Sequence, residues 1–151
     1  MAYALLRVET DLSTASYWTI AAGIITGLLA AVFGLVDWLA IPAGTRAKAV
    51  GVLHGGGNVV VVVLFLVAWL IRLNTQTPAT QYSPAGLPIV LEVIGLLLAL
   101  VTGWLGGELV ERLGVGVDRG AHLEAPTSLS GERATAHTAE TPHVPPSRRA
   151  A

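Results

Sequence analysis

The fold is decided by the stretch Arg46-Ala47-Lys48-Ala49-Val50-Gly51-Val52-Leu53-His54-Gly55-Gly56-Gly57-Asn58, which continues into residues 59–71 without a single charge. A helix on the surface of a soluble domain keeps one polar face, and this run has none. A helix that crosses a bilayer instead needs about 20 mostly apolar residues, so the stretch predicts a membrane span. His54 and Asn58 lie inside it, where polar groups are costly unless they are partnered.

Two further apolar runs cover residues 17–41 and 87–110. The whole chain is 53% hydrophobic and only 13% charged, and its charges cluster between the apolar runs. Because water cannot satisfy the backbone within a bilayer, each run should be helical. The sequence therefore predicts an all-α integral membrane helical bundle, with three full transmembrane helices at about residues 17–41, 47–71 and 87–110.

The two ends of the chain differ from these runs. Residues 1–9 resemble the end of a helix whose beginning is missing, and residues 10–16 are rich in the types that cap helices or turn the chain. We expect an N-terminal helix remnant there, and an apolar helix encoded upstream would explain it. Residues 118–151 are too polar to bury a core, which predicts a disordered tail beyond a transmembrane domain at 1–117.

Small residues recur at helical spacing in each predicted span. Close backbone contact at such residues drives helix association in lipid. The three expected packing faces are Gly23, Gly27, Ala31 and Gly34; Gly51, His54, Gly55 and Asn58; and Gly95, Ala99, Gly103 and Gly107.

Lysine and arginine in the flanking segments predict the orientation, because these residues favour the cytoplasmic side. They are denser in the connector at residues 42–48 and after the third run than on the opposite side. We therefore expect a multi-pass protein of the cytoplasmic membrane, with that connector and the C-terminal tail in the cytoplasm.

With this topology, the charged side chains gather at the cytoplasmic end of the bundle. They are Asp37, Arg46, Lys48, Glu108 and Arg112, with His54 a few turns away. Opposite charges that meet there would lower the cost of holding each one near lipid. The simpler interpretation is a ring of interfacial ion pairs that fixes the helix ends; the alternative is a proton path or a ligand site.

His54 supports two interpretations. A neutral imidazole can bind haem iron, and the glycines after it would let a flat ligand approach, which makes His54 a candidate metal ligand and Asn58 a second contact in a haem b site. Alternatively, His54 hydrogen-bonds to Asn58, Asp37 or a backbone carbonyl and locks the bundle. The other histidines, His122, His137 and His143, belong to the tail.

Other chemistry has little support in the sequence. Glu92, an intramembrane carboxylate, is either a protonatable relay group or a carboxyl that seeks the headgroups. The three glycines after His54 lack the Lys-Ser/Thr pair and the preceding strand of a nucleotide loop. No hydrolytic constellation stands out and no basic stripe carries aromatic residues, so we expect neither an enzyme nor a nucleic-acid-binding protein.

Three stretches carry a family resemblance. They are Gly34-Leu-Val-Asp37-Trp38-Leu-Ala-Ile-Pro42-Ala-Gly44-Thr-Arg46-Ala47, then Leu53-His54…Asn58, and finally Gly103-Trp-Leu-Gly-Gly-Glu108-Leu-Val110…Gly114-Val-Gly-Val117. Together they resemble the bacterial family called domain of unknown function 2231, over about residues 1–117.

The resemblance implies a small four-helix protein of the bacterial inner membrane. Some relatives occur beside Rieske-type iron–sulfur modules, which implies a redox membrane partner and electron transfer. This chain lacks the histidines of the family's first helix, and Glu111-Arg112-Leu113 stands where the family has a further histidine. We predict a non-enzymatic membrane component or accessory subunit in contact with lipid; a haem-b or quinone-linked electron-transfer module, a proton-coupled transporter component and a homodimer are the alternatives.

Overall fold

A computed structural model describes residues 2–77 and 81–132. Three long helices run in chain order, α1 (Ala2–Ala40), α2 (Arg46–Thr75) and α3 (Leu87–Gly107), and α3 continues as a π-helix (Glu108–Arg112). The segments long and apolar enough to cross a membrane are Asp11–Ala40, Arg46–Thr75 and Leu87–Arg112. The predicted all-α membrane architecture is confirmed, and the described residues contain no strand.

The first helix differs from the prediction because it does not break at residues 10–16. Neither glycine nor proline occurs before Gly23, so no residue forces the backbone out of the helix. The hydroxyl residues of this region are accommodated in helical geometry; just beyond it, the Thr19 hydroxyl donates to the Ala15 carbonyl at 2.8 Å. The predicted helix remnant and the first span are thus one continuous helix.

The connection between α1 and α2 follows its sequence signals. Pro42 interrupts the helix, and Gly44 has a φ of +78°, a conformation that suits glycine. Thr45 then caps α2, because its hydroxyl accepts a hydrogen bond from the Lys48 amide at 3.2 Å. This tight turn places the start of α2 beside the end of α1.

The connection between α2 and α3 is more irregular. Gln81 and Tyr82 both have positive φ values, 28° and 55°, which non-glycine residues rarely adopt. Gly86, with a φ of 61°, precedes α3, and Pro88 lies in the first turn of that helix. The strained residues at 81 and 82 therefore need other contacts to hold them in place.

Helix α2 is central, since it packs against both α1 and α3. Its closest approaches use small residues. A Cβ atom added at Gly57 would lie 2.5 Å from Thr102 Cγ2 on α3, and one at Gly51 would lie 2.6 Å from Trp38 Cδ1 on α1. On α3, Gly95 lies against Phe65 and Gly106 against His54. Of the small residues predicted to pack, Gly51 and Gly95 therefore lie at close approaches, whereas Cβ atoms at Gly55, Gly103 and Gly107 would meet nothing within 4 Å.

Residues 116–151 form a unit separate from residues 1–115. Its described part, residues 116–132, contains a short 3-10 helix at Ser128–Ser130, capped by the Thr127 side chain. Disorder is predicted for residues 118–151. Of these, residues 133–151 lie outside the described residues.

Candidate functional site

His54, Asn58 and Thr102 form a polar network between α2 and α3, here called the His54 network. His54 Nδ1 lies 2.8 Å from the Thr102 carbonyl oxygen, and Asn58 Nδ2 lies 3.2 Å from His54 Nε2. The Thr102 hydroxyl lies 3.0 Å from Asn58 Oδ1 and 3.1 Å from the Ala99 carbonyl oxygen. The spacing of four between His54 and Asn58 puts both on the face of α2 that meets α3.

The partners of the imidazole determine its tautomer. A carbonyl only accepts, so Nδ1 carries the hydrogen and donates to Thr102. The Asn58 amide nitrogen only donates, so Nε2 is unprotonated and accepts. Both ring nitrogens of His54 are therefore engaged, and each hydrogen bond either joins two helices or supports a group that does.

These contacts do not support a haem ligand at His54. Iron would have to take Nε2, because Nδ1 donates to a backbone carbonyl, and in this structure Nε2 lies 3.2 Å from Asn58 Nδ2. The glycines after it form no cradle, since Gly55 and Gly56 are open whereas Gly57 lies tightly against Thr102. Among the described residues there is no group of three or more His, Cys, Asp and Glu side chains that could hold a metal ion.

A second group, here called the Glu108 cluster, joins the start of α2 to the π-helix. Arg46 Nη2 lies 2.7 Å from Glu108 Oε1, and Arg112 Nε lies 3.4 Å from Glu108 Oε2. The Glu108 side chain is only 10% exposed, whereas the two arginines are 65% and 76% exposed. The two guanidinium groups thus cover a nearly buried carboxylate.

Lys48 and Asp37 do not join this cluster. The Lys48 ammonium donates to the Trp38 carbonyl at 2.7 Å and lies 3.7 Å from the centre of the Trp38 ring. The Trp38 indole in turn donates to the Lys48 carbonyl at 3.2 Å. Asp37 is exposed, and its side chain makes no hydrogen bond or ion pair within the part of the chain that is described. Of the five charged residues expected to gather here, the structure brings together Arg46, Glu108 and Arg112.

A third group, here called the Arg72 cluster, lies at the opposite end of α2. The Arg72 side chain is fully buried. It donates to the Ser13 carbonyl at 3.0 Å, the Ser16 hydroxyl at 3.2 Å, the Tyr82 carbonyl at 2.8 Å and Glu92 Oε1 at 2.9 Å. One guanidinium group therefore links α1, the second connector and α3. It also gives Glu92 a partner, and it holds the strained backbone at Tyr82.

Aromatic rings complete this end of the bundle. Tyr17, 1% exposed, is stacked between Tyr82 and Trp69, with ring centroids 4.0 Å and 5.1 Å away. Trp18 meets the Tyr17 ring edge-on at 5.4 Å. Stacked and edge-on pairs of this kind stabilise a fold beyond their area alone. The rings pack α1 against α2 and the second connector beside the buried arginine.

Sequence reasoning singled out Glu92 but missed Arg72 and Thr102. Two signals were available. Arg72 is the one Asp, Glu, Lys or Arg residue between positions 49 and 91. It lies five helical turns from His54, on the same side of α2. Thr102 is the one hydroxyl residue between residues 87 and 110, where a lone polar side chain is expected to seek an interhelical partner.

Comparison with known families gives one finding. The model of DUF2231, described as a predicted membrane protein, matches residues 1–119. Searches of curated proteins and of solved structures give no match. Because the family model covers most of the chain, including all three long helices, the protein belongs to the DUF2231 family of predicted membrane proteins.

Proposed function

We propose that this protein is a non-enzymatic membrane component that acts as an accessory subunit, and that its intramembrane polar residues serve to fix the helices. The observation that carries the proposal is the complete use of His54, whose two ring nitrogens are both bound within the α2–α3 contact. A catalytic or ligand-binding histidine would first have to release one of these partners.

The other intramembrane polar groups support the same role. Glu92 is held by the buried Arg72, and Glu108 is held by Arg46 and Arg112. A proton relay through either carboxylate would first have to release its guanidinium partner. Transport therefore stays the weaker alternative, as does electron transfer through a haem at His54 and Asn58.

The visible spectrum distinguishes the structural role of His54 from haem binding. We expect protein purified in detergent to show no haem band, oxidised or reduced, and His54→Gln to lower its thermal stability, because the α2–α3 hydrogen bonds are lost. Thr26→Val is the control and should leave the stability unchanged, because the exposed Thr26 hydroxyl bonds only to carbonyl oxygens of its own helix. A reduced-haem band that disappears in His54→Gln would contradict the proposal.

We further propose that the protein lies in the bacterial cytoplasmic membrane with its C-terminal tail in the cytoplasm. The excess of arginine and lysine in the connector at 42–48 and after the third span supports this orientation. Lipid then surrounds the bundle, and a second copy or a redox membrane protein is the expected partner.

Reporter fusions test this topology. We expect alkaline phosphatase fused after Val117 to be inactive, because this enzyme is active only outside the cytoplasm. Green fluorescent protein fused at the same position should fluoresce. Fusions within the second connector, after Gln76, should give the opposite pair of signals. A phosphatase-active fusion after Val117 would reverse the proposed orientation.

A further inference from the structure

The arginines of the Glu108 cluster use only part of their hydrogen-bonding capacity. Arg46 Nη2 and Arg112 Nε reach opposite oxygens of the one Glu108 carboxylate. Within the described residues, the other two nitrogens of each guanidinium group have no hydrogen-bond or ion-pair partner. The two side chains are exposed, and together with Glu108 they carry one net positive charge. The shared carboxylate therefore holds two accessible guanidinium groups close together.

An exposed apolar surface, here called the apolar strip, extends from this cluster into the membrane-spanning part of α2 and α3. Its side chains follow Arg46, or precede Glu108, at intervals of seven residues, which is close to two helical turns. Each set therefore lies on one side of its helix, and the Arg46–Glu108 bond joins the two sets at their charged end. The four side chains, which are 48–63% exposed, are Leu53, Val60, Ile94 and Val101.

We propose that the Glu108 cluster and the apolar strip bind one anionic phospholipid, with its phosphate on Arg46 and Arg112 and an acyl chain along the strip. Guanidinium groups pair with phosphate oxygens through two parallel N–H bonds. Trp104, exposed and one turn before Glu108, is of the type that lies at headgroup level, which puts the arginines at the depth of lipid phosphates. Basic sites between membrane helices recognise lipid headgroups in this way.

The other charges at this end of the bundle do not create a broad positive field. The Lys48 ammonium is bound to Trp38 on the side of α1, where the exposed Asp37 also lies. Glu111, exposed and next to Arg112, forms no ion pair in the part of the chain that is described, and its charge opposes an anion. Binding of the phosphate therefore depends on direct bonds from the two guanidinium groups.

This inference goes beyond the proposed function, since it requires only that the helices span a bilayer. The proposed orientation decides which leaflet provides the lipid. If the reporter fusions reversed that orientation, the site would face the other leaflet and would still bind the lipid. A haem at His54 would likewise leave it unchanged, so the two proposals can fail separately.

Native mass spectrometry tests the headgroup. The detergent-purified protein receives phosphatidylglycerol or phosphatidylcholine with the same acyl chains. We expect phosphatidylglycerol to be retained preferentially, and this preference to fall about fivefold in Arg46→Gln and in Arg112→Gln. Lys48→Gln is the matched control, because it removes one positive charge at the same end and should retain the preference.

Two results of this experiment would overturn the proposal. Equal losses in the two arginine variants and in Lys48→Gln would show that only the net charge attracts the lipid. Displacement of phosphatidylglycerol by an equal concentration of glycerol phosphate, which has no acyl chain, would show a site for free phosphate.

A fluorophore on Leu97→Cys, in a chain without cysteine, tests the acyl chain. Leu97 is exposed and borders the apolar strip, because it lies three residues after Ile94 and four before Val101. In phosphatidylcholine nanodiscs, phosphatidylglycerol brominated in its chains should quench this label more strongly than brominated phosphatidylcholine at the same fraction. Both arginines are unchanged here, so the measurement decides the proposal even if their variants fail to fold.

Leu28→Cys on α1 is the matched control for the label. Leu28 is 55% exposed, and Leu97 is 58% exposed. The two depths are similar, because Gly27 meets α2 at Val62, three residues from the Phe65 that meets α3. The two brominated lipids should quench the Leu28 label equally. Equal quenching by both lipids at Leu97 as well would overturn the proposal.

Discussion

Arg72→Met is expected to destabilise the bundle by about 3 kcal/mol, because removing one partner of a buried pair leaves the other uncompensated. The change leaves the Glu92 carboxylate and the carbonyl oxygens of Ser13 and Tyr82 without the hydrogen-bond donor that Arg72 provides. Methionine fills a similar volume, so the loss reflects the hydrogen bonds and not a cavity. Reversible unfolding in mixed detergent–SDS micelles, followed by far-ultraviolet circular dichroism, measures the free energy.

Arg46→Met is the matched control on the same helix. Arg46 also binds a glutamate, at 2.7 Å, but its side chain is 65% exposed. Exposed ion pairs contribute about 0–1 kcal/mol, so this variant should lose far less than Arg72→Met. If the two variants lose the same free energy, Arg72 is not the link between α1, the connector and α3.

Glu92→Leu tests the ion pair within the cluster. Combined with Arg72→Met, it removes the carboxylate that has no partner in that variant. The double variant should therefore lose less free energy of unfolding than the sum of the two single variants, by about 1–2 kcal/mol. Strictly additive losses would mean that the arginine acts through its other acceptors, the carbonyls of Ser13 and Tyr82 and the Ser16 hydroxyl.

The spans could be predicted from the sequence because a bilayer imposes a simple requirement of length and polarity. The second predicted span, residues 47–71, lies within α2 at Arg46–Thr75. The third, residues 87–110, begins with α3 and ends inside the π-helix. Pro42 and Gly44 also gave the turn after α1, because their backbone preferences are local. These features depend on residues close in sequence or on composition.

The features that could not be predicted depend on residues far apart in sequence. The hydroxyl residues at 10–16 favour a cap or a turn by local propensity, yet they remain helical, and Ser13 and Ser16 meet Arg72 more than 50 residues away. The sequence placed Asp37 in the charged cluster, but Trp38 is the residue on the face of α1 that meets α2. The rotation of one helix against another decides both cases.

The same limit applies to the glycines. Four-residue spacing is present at Gly103 and Gly107, but Gly106 is the one against His54. For His54 the sequence left open a ligand role and a packing role, since the position of the Thr102 carbonyl was not known. The contact between α2 and α3 provides that information, because it shows which atoms each ring nitrogen meets.

The second large effect is expected from Gly57→Ala, which should cost about 1–3 kcal/mol because it overfills a tight contact. The new Cβ would lie 2.5 Å from Thr102 Cγ2. Threonine is stiff about χ1, and its hydroxyl is bound to Asn58, so the methyl group cannot turn away without breaking that hydrogen bond. The strain should therefore push α3 away from α2, and SDS unfolding measures the loss.

Gly56→Ala is the matched control one residue earlier on α2. A Cβ at Gly56 would meet nothing within 4 Å, so this variant gains helix propensity without a clash. We expect it to be neutral or to stabilise the protein by up to about 1 kcal/mol. A loss equal to that of Gly57→Ala would indicate that any alanine in this glycine run is harmful, for instance by changing how α2 bends.

Thr102→Ser should rescue Gly57→Ala, and this identifies the clash as the cause. Serine lacks the Cγ2 methyl that the new alanine would meet, and it retains the hydroxyl that binds Asn58. Alone, the serine variant should lose about 1 kcal/mol for the missing methyl group. In combination it should recover most of the alanine variant's loss, so that the double variant is more stable than Gly57→Ala by itself. No recovery would mean that Gly57 is needed for its backbone and not for the close approach of α3, and the packing of the two helices around the His54 network would then need another explanation.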